Sequence, residues 1–151
     1  MNSGFAMVFI LLAACGSAGP SDCFINGLEI HMETGASCED AADNLEFAQR
    51  LLAKAGIVRP GTFETVYAGL RVEVLDLSTL GDSAIGRYTW GEVEGIKLTR
   101  SGRALFHELI HAKERRAHEI PPGVDSHAHW EAAGYVALDE FYRGGAKTLH
   151  E

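Results

Sequence analysis

Residues 104–119 read ALFHELIHAKERRAHE, and His107, Glu108 and His111 within them set the tightest constraint on how this chain folds. On an α-helix, side chains four apart lie on one face with Cβ atoms about 5–6 Å from each other. If the segment is helical, His107 and His111 both reach one metal ion at about 2.0–2.1 Å. Glu108, adjoining His107, is then angled toward the same pocket. The segment has the apolar period of a helix: Leu105, Leu109 and Ala112 mark a buried side, with Phe106 and Ile110 beside them. Five of the seven histidines fall between residues 107 and 129. Two histidines do not complete a catalytic zinc site, so the fold must deliver a third ligand from elsewhere.

Three residues compete for that place: His127, Glu131 and His129. Ser101 is expected to cap the motif helix, which runs to about Glu119 and stops at Pro121, Pro122 and Gly123. Such a helix carries the chain about 12 Å past His111. The stretch PPGVDS spans about 20 Å when extended, enough to bring His127 back. Asp125 or Ser126 then caps a last helix over HAHWEAAGYVALDEFYR, ended by Gly144 and Gly145. On that helix His127 and Glu131 share a face, whereas His129 points about 160–200° away from His127. His127 is the first choice, Glu131 the second and His129 the last. His118 lies seven residues beyond His111, about 10 Å along the axis, too far to share the ion. His31 and His150 read as surface residues.

The rest of the chain reads as a small α+β domain, a short sheet or hairpin with three main helices, over residues 23–151. FINGLEIHME is a hairpin turning at Asn26 and Gly27. EDAADNLEFAQRLLAKAG is a helix capped by Ser37 or Asp40 and ended by Gly56, with Ala41, Leu45, Ala48, Leu51, Leu52 and Ala55 as its apolar stripe. TFETVYAGLRVEVLDL carries two short extended segments, the second rich in β-formers from Val72 to Leu77. GDSAIGRYTWGEVEGIKLT is a second hairpin, turning between Gly91 and Gly95. The net charge is −8 and no basic run interrupts it, which argues against a nucleic-acid partner.

The N-terminus has a different character. GFAMVFILLAA is an apolar run of signal-peptide length, too short to span a bilayer as a helix. Leu12, Ala13, Ala14 and Cys15 resemble a bacterial lipobox, in which the cysteine becomes the lipidated first residue. The resemblance implies a signal peptide over residues 1–14, a tether over 15–22, and a protein held by lipid on the periplasmic side or at the outer membrane. With Cys15 lipidated, Cys23 and Cys38 remain as a pair, expected to form a disulfide in an oxidising compartment.

Over roughly residues 85–142 the chain resembles the zincin metallopeptidases, on the strength of His107, Glu108 and His111 in a helix preceded by a hairpin. The resemblance implies a zincin-like minimal core with the motif on its central helix, a zinc cofactor and hydrolysis of a peptide or protein substrate. Glu108 would take a proton from a zinc-activated water and return it to the leaving amine. The strand along the cleft, which in zincins pairs with an extended substrate, would be Gly95-Ile96-Lys97-Leu98 or Tyr88-Thr89-Trp90. Tyr88, Tyr135 or Tyr142 would supply an oxyanion donor. Glu131, twenty residues past His111, stands at a separation resembling that of gluzincins. The metzincin continuation is absent, because Glu114 and Ala117 occupy its glycine and histidine positions. The alternative is a non-catalytic zinc-binding or interaction lipoprotein of the cell envelope.

Overall fold

A computed structural model describes residues 21–32, 37–75, 85–99, 101–120 and 125–148. The signal-like run, the lipobox-like residues with Cys15, most of the tether, Leu77, the Pro121, Pro122 and Gly123 stop and His150 lie outside the described residues. Ser21 and Asp22, read as the end of the tether, already belong to a strand.

Strands β1 (Ser21–Ile25) and β2 (Leu28–Met32) form an antiparallel hairpin. Asn26 and Gly27 turn it with φ of 50° and 80°. Two successive left-handed residues suit a two-residue hairpin, because their twist matches that of the strands. Helix α1 (Cys38–Lys54) starts where the Ser37 side chain accepts the Asp40 N–H, and Gly56, at φ 72°, lies just past its end. A single-turn helix α2 (Phe63–Val66) follows, then β3 (Arg71–Leu75). Two extended segments were expected here, and only the second is a strand. Phe63 and Tyr67 are four residues apart, both buried, with their rings 4.6 Å apart, so the first segment buries its side chains at helical spacing.

Strands β4 (Gly86–Thr89) and β5 (Gly95–Thr99) form the second hairpin. The five strands make one mixed sheet in the order β1-β2-β3-β5-β4, with β2/β3 and β3/β5 parallel. The architecture is α+β as expected, and the two hairpins and β3 join in a single mixed sheet. One sheet face is apolar and buried, through Leu28, Ile30, Met32, Val72, Val74, Ile96 and Leu98. The other carries Arg71, Glu73 and Lys97, where Glu73 pairs with Arg71 at 3.3 Å and Lys97 at 3.8 Å. This order settles which strand forms an edge. Residues 95–98 are paired on both sides, so among the described residues the outer strand on this side of the sheet is β4, with Tyr88 and Thr89.

Helix α3 (Leu105–Arg116) carries the motif and is shorter than expected at both ends. Ser101 does not cap it. Its Oγ lies 2.9 Å from the Thr99 hydroxyl, and Ala104 occupies the N-cap without a side-chain bond. At the other end His118 takes a left-handed φ of 55°. The His118 N–H then donates to Arg115 O at 3.1 Å and the Glu119 N–H to Glu114 O at 3.0 Å. This pairing satisfies the last carbonyls and stops the helix before the prolines are reached. The expected last helix is likewise divided. Ser126–His129 form a 3₁₀ turn, followed by α4 (Trp130–Ala133) and α5 (Tyr135–Gly145), with Gly134 at φ 75° between the helices. Gly144 and Gly145 fall inside α5, and Ala146 caps it.

Helix α5 is fixed to the core by aromatic packing. Tyr142 stacks between Phe47 of α1 and Phe106 of α3, at centroid distances of 5.2 and 5.5 Å. Beyond it, the buried Asn44 amide donates to Lys147 O and accepts from Lys147 N, both at 2.7 Å. Among the described residues no helix is long and apolar enough to cross a membrane.

Cys23 of β1 and Cys38 at the start of α1 form the expected disulfide, closing a loop with a sequence separation of 15. Replacing both with serine should cost about 3 kcal/mol of stability, the chain-entropy value for a loop of this length. Denaturant unfolding of the oxidised parent and the double variant measures it, and equal stabilities would contradict the expectation.

Candidate metal centre

Each of the three histidines reaches the centre from a different local constraint. One helical turn on α3 sets the spacing of His107 and His111. His127 is held in the 3₁₀ turn by Asp125, whose side chain accepts the His127 N–H at 2.9 Å. The three Nε2 atoms lie 3.1 Å from one another. Ligand nitrogens bound to one tetrahedral ion at about 2.0–2.1 Å would be about 3.3–3.4 Å apart, so the observed triangle is a close fit. Among the described residues these three are the His, Cys, Asp or Glu group able to hold a metal ion.

The outer ring nitrogens show which protonation state faces inward. His107 Nδ1 lies 3.0 Å from Asp139 Oδ2, and His127 Nδ1 lies 3.0 Å from Asp125 Oδ1. An ionised carboxylate only accepts, so both Nδ1 atoms carry hydrogen, and in the neutral rings both Nε2 atoms present lone pairs. Burial, reinforced by the neighbouring His107 and His127, pushes His111 down to about 3, so at neutral pH it is uncharged. Its Nδ1 lies 2.8 Å from the Ser126 hydroxyl. Even with His111 protonated at Nε2, one hydrogen cannot bridge three nitrogen pairs. A cation among them removes the conflict.

Asp139 has its own support. Arg143, one turn further along α5, reaches Asp139 Oδ2 through Nε at 3.0 Å and Nη2 at 2.8 Å. Burial alone would raise this carboxyl, but the hydrogen bonds from His107 and Arg143 outweigh it and hold it below the usual carboxylate range. Behind the triangle lies the buried Trp130, with its ring 4.6–4.7 Å from all three imidazoles.

Glu108 is 6% exposed, and burial pushes its carboxyl above the usual range against the opposing influence of His107. The Tyr88 backbone N–H on β4 donates to it, so the sheet edge orients this group. The approach depends on Gly86. A Cβ there would stand 2.4 Å from Ala104 Cβ and 3.0 Å from Glu108 Oε1. Together β4, α3 and the 3₁₀ turn line a cleft of about 460 Å³, whose walls include Gly86, Tyr88, Glu108, His111, Arg115 and His127. An imidazole triangle, a buried carboxylate and an open space beside them equip the cleft for metal-assisted proton transfer.

The other candidates lie elsewhere. Glu131 is exposed and outside the triangle. His129 pairs with Glu114 at 2.8 Å, His118 is exposed at the end of α3, and His31 pairs with Asp22 of β1. Of the three tyrosines, Tyr142 is fully buried, and Tyr135 packs on His129 and Trp130. Only Tyr88 reaches the cleft wall, and its hydroxyl donates to Glu94 at 2.8 Å. Sequence reasoning missed Asp139, Arg143, Trp130 and the role of Ser126. It foresaw Asp125 only as a cap. The adjacency of a carboxylate two residues before His127 was a usable signal, whereas nothing local ties residue 139 to residue 107.

Comparison with protein-family models, with curated proteins and with solved structures gives no match to this chain. The ligand set therefore rests on donor geometry, and it predicts a ranking. His127→Ala should lower affinity for zinc by orders of magnitude, and Asp139→Asn by about 10- to 100-fold through loss of support to His107. Glu131→Ala should bind like the parent. Chelator competition on untagged protein measures all three, and a larger loss in Glu131→Ala than in His127→Ala would reverse the assignment.

Proposed function

We propose that this chain is a zincin-type metallopeptidase that hydrolyses peptide bonds in the cleft beside β4. The observation that carries the reading is Glu108, a buried carboxylate next to ligand His107, oriented by a backbone N–H and facing the cleft. A metal site that only stabilises a fold needs no such group and usually closes all four coordination positions with protein ligands. Here three imidazoles converge and one side remains toward the cleft. An all-imidazole set with an open position is the donor chemistry of a catalytic zinc ion. When bound, zinc supplies Lewis acidity that polarises the scissile carbonyl and acidifies a water.

The remaining steps belong to the chain's own residues. Glu108 accepts a proton from the attacking water and delivers it to the departing amine, and its raised affinity for protons suits both transfers. Asp139 and Asp125 keep His107 and His127 in the tautomer that faces inward. The edge of β4, outermost on its side of the sheet among the described residues, offers backbone groups to an extended peptide, with Gly86, Arg87 and Tyr88 lining the cleft. Export to an oxidising compartment is part of the proposal, and the Cys23–Cys38 disulfide supports it. Lipid attachment at Cys15, with anchoring in the cell envelope, rests on the lipobox-like sequence alone.

Glu108→Gln should keep zinc with the parent's stoichiometry and lose about 10²- to 10⁴-fold in peptide hydrolysis. A mixed peptide library incubated with the zinc-loaded parent and variant, with products counted by mass spectrometry, gives both rates. Equal rates in the two proteins would remove Glu108 from the reaction. A zinc-loaded parent that cleaves nothing would favour a non-catalytic zinc-binding protein.

A further inference from the structure

Glu114 is the one carboxylate on α3 that is almost fully enclosed yet neither belongs to the histidine triangle nor shares the proton-transfer role proposed for Glu108. It lies three residues past His111 and seven past His107, on the face that carries the ligands. Its side chain is 2% exposed. Both oxygens face residues two and three positions past His127, though Oε1 has no aligned hydrogen-bond donor. His129 Nε2 is 2.8 Å from Oε1, and Trp130 Nε1 donates to Oε2 at 3.4 Å.

We propose that Glu114 is a positioning residue that clamps the His127-bearing turn to α3, so that the three-histidine site is already assembled before a metal arrives. The turn is held at two points around His127. Asp125 fixes the near end by accepting the His127 N–H and Nδ1–H. That contact is exposed and internal to the turn, so it sets the ring's tautomer without tying the turn to the helix. Ser126 gives one link to α3 through His111 Nδ1. Glu114 gives the buried one, and it also locks Trp130 against all three imidazoles. Burying a carboxylate this deeply is unfavourable without partners, and the groups within reach are the His129 ring, at ion-pair distance, and the Trp130 N–H, both on the segment that follows His127. A ligand on a short turn has little helical structure of its own to restrain it. Without the clamp, ordering the turn is charged to the binding step and weakens it.

The inference rests on the three-histidine metal site, and the test separates the two. Apparent zinc affinity is measured by chelator competition, and cobalt(II) absorption reports the ligand set, on the full chain in four forms: parent, Glu114→Ala, His129→Ala and the double variant. The two single variants should each bind about 10- to 100-fold more weakly, still at one ion per chain. The double variant should be no weaker than the worse single one, because both remove the same clamp. His129→Gln, whose amide can donate to Glu114 from the same position, should recover most of the loss. Parent-like affinity with only a lowered melting temperature would make Glu114 merely structural and overturn the proposal. Additive losses, or a cobalt spectrum with one fewer imidazole in His129→Ala, would overturn it too. If Glu114→Ala does not fold, His129→Ala and His129→Gln carry the test, since that side chain is 43% exposed. A parent that binds no metal would instead defeat the metal site itself.

Discussion

Three imidazole nitrogens stand 3.1 Å apart, those of His107 and His127 presenting lone pairs, and one hydrogen on His111 cannot bridge all three contacts, so a cation among them relieves the conflict. The rest of the site exists to hold that arrangement. Two carboxylates, Asp139 and Asp125, take the hydrogens on the outer nitrogens, and Ser126 lies against the third ring. Trp130 packs behind all three rings, with its ring 4.6–4.7 Å from each. Each support comes from a different stretch of chain, which makes the site a product of tertiary packing rather than of α3 alone.

The packing runs back to the sheet and the disulfide-linked half of the molecule. Asp139 reaches His107 because Tyr142, one turn later on α5, is stacked between Phe47 and Phe106, and because Asn44 holds Lys147 beyond the helix end. Glu108 meets the Tyr88 N–H because Gly86 lets β4 approach α3 more closely than a side chain would allow. Arg116 completes the frame on the far side. It forks onto Glu94 with two 2.7 Å contacts and donates to Val66 O at 2.7 Å, fixing the end of α3 against the β4–β5 turn and the segment after α2. Tyr67, fully buried, adds a hydroxyl bond to Leu109 O at 3.0 Å.

Features set by spacing within a few residues were legible in the sequence. The histidine pair on α3, the Asn26–Gly27 turn, the stripe of α1 and the β4–β5 hairpin follow from periods of two or 3.6 and from turn chemistry. The approach of His127 to that pair was reachable because chain length and helix rise limited which residues could return to it. The misses share a different cause. Ser101 looked like a cap, but the Thr99 hydroxyl competes for it. The end of α3 is decided by a left-handed His118, a conformation that a propensity scale assigns to glycine or asparagine. The last helix breaks at Gly134, which the apolar pattern bridges without interruption. Asp139 and Arg143 meet His107 across more than thirty residues, and only the docked helix discloses them.

The most direct test of the metal centre is X-ray absorption at the zinc edge of stoichiometrically loaded, untagged protein. Three imidazole nitrogens at about 2.0–2.1 Å, with one further oxygen and no sulfur, is the shell expected for His107, His111 and His127 with a position left toward the cleft. A shell with two imidazoles and a carboxylate, a shell closed by four protein ligands, or a protein that retains no zinc would contradict it.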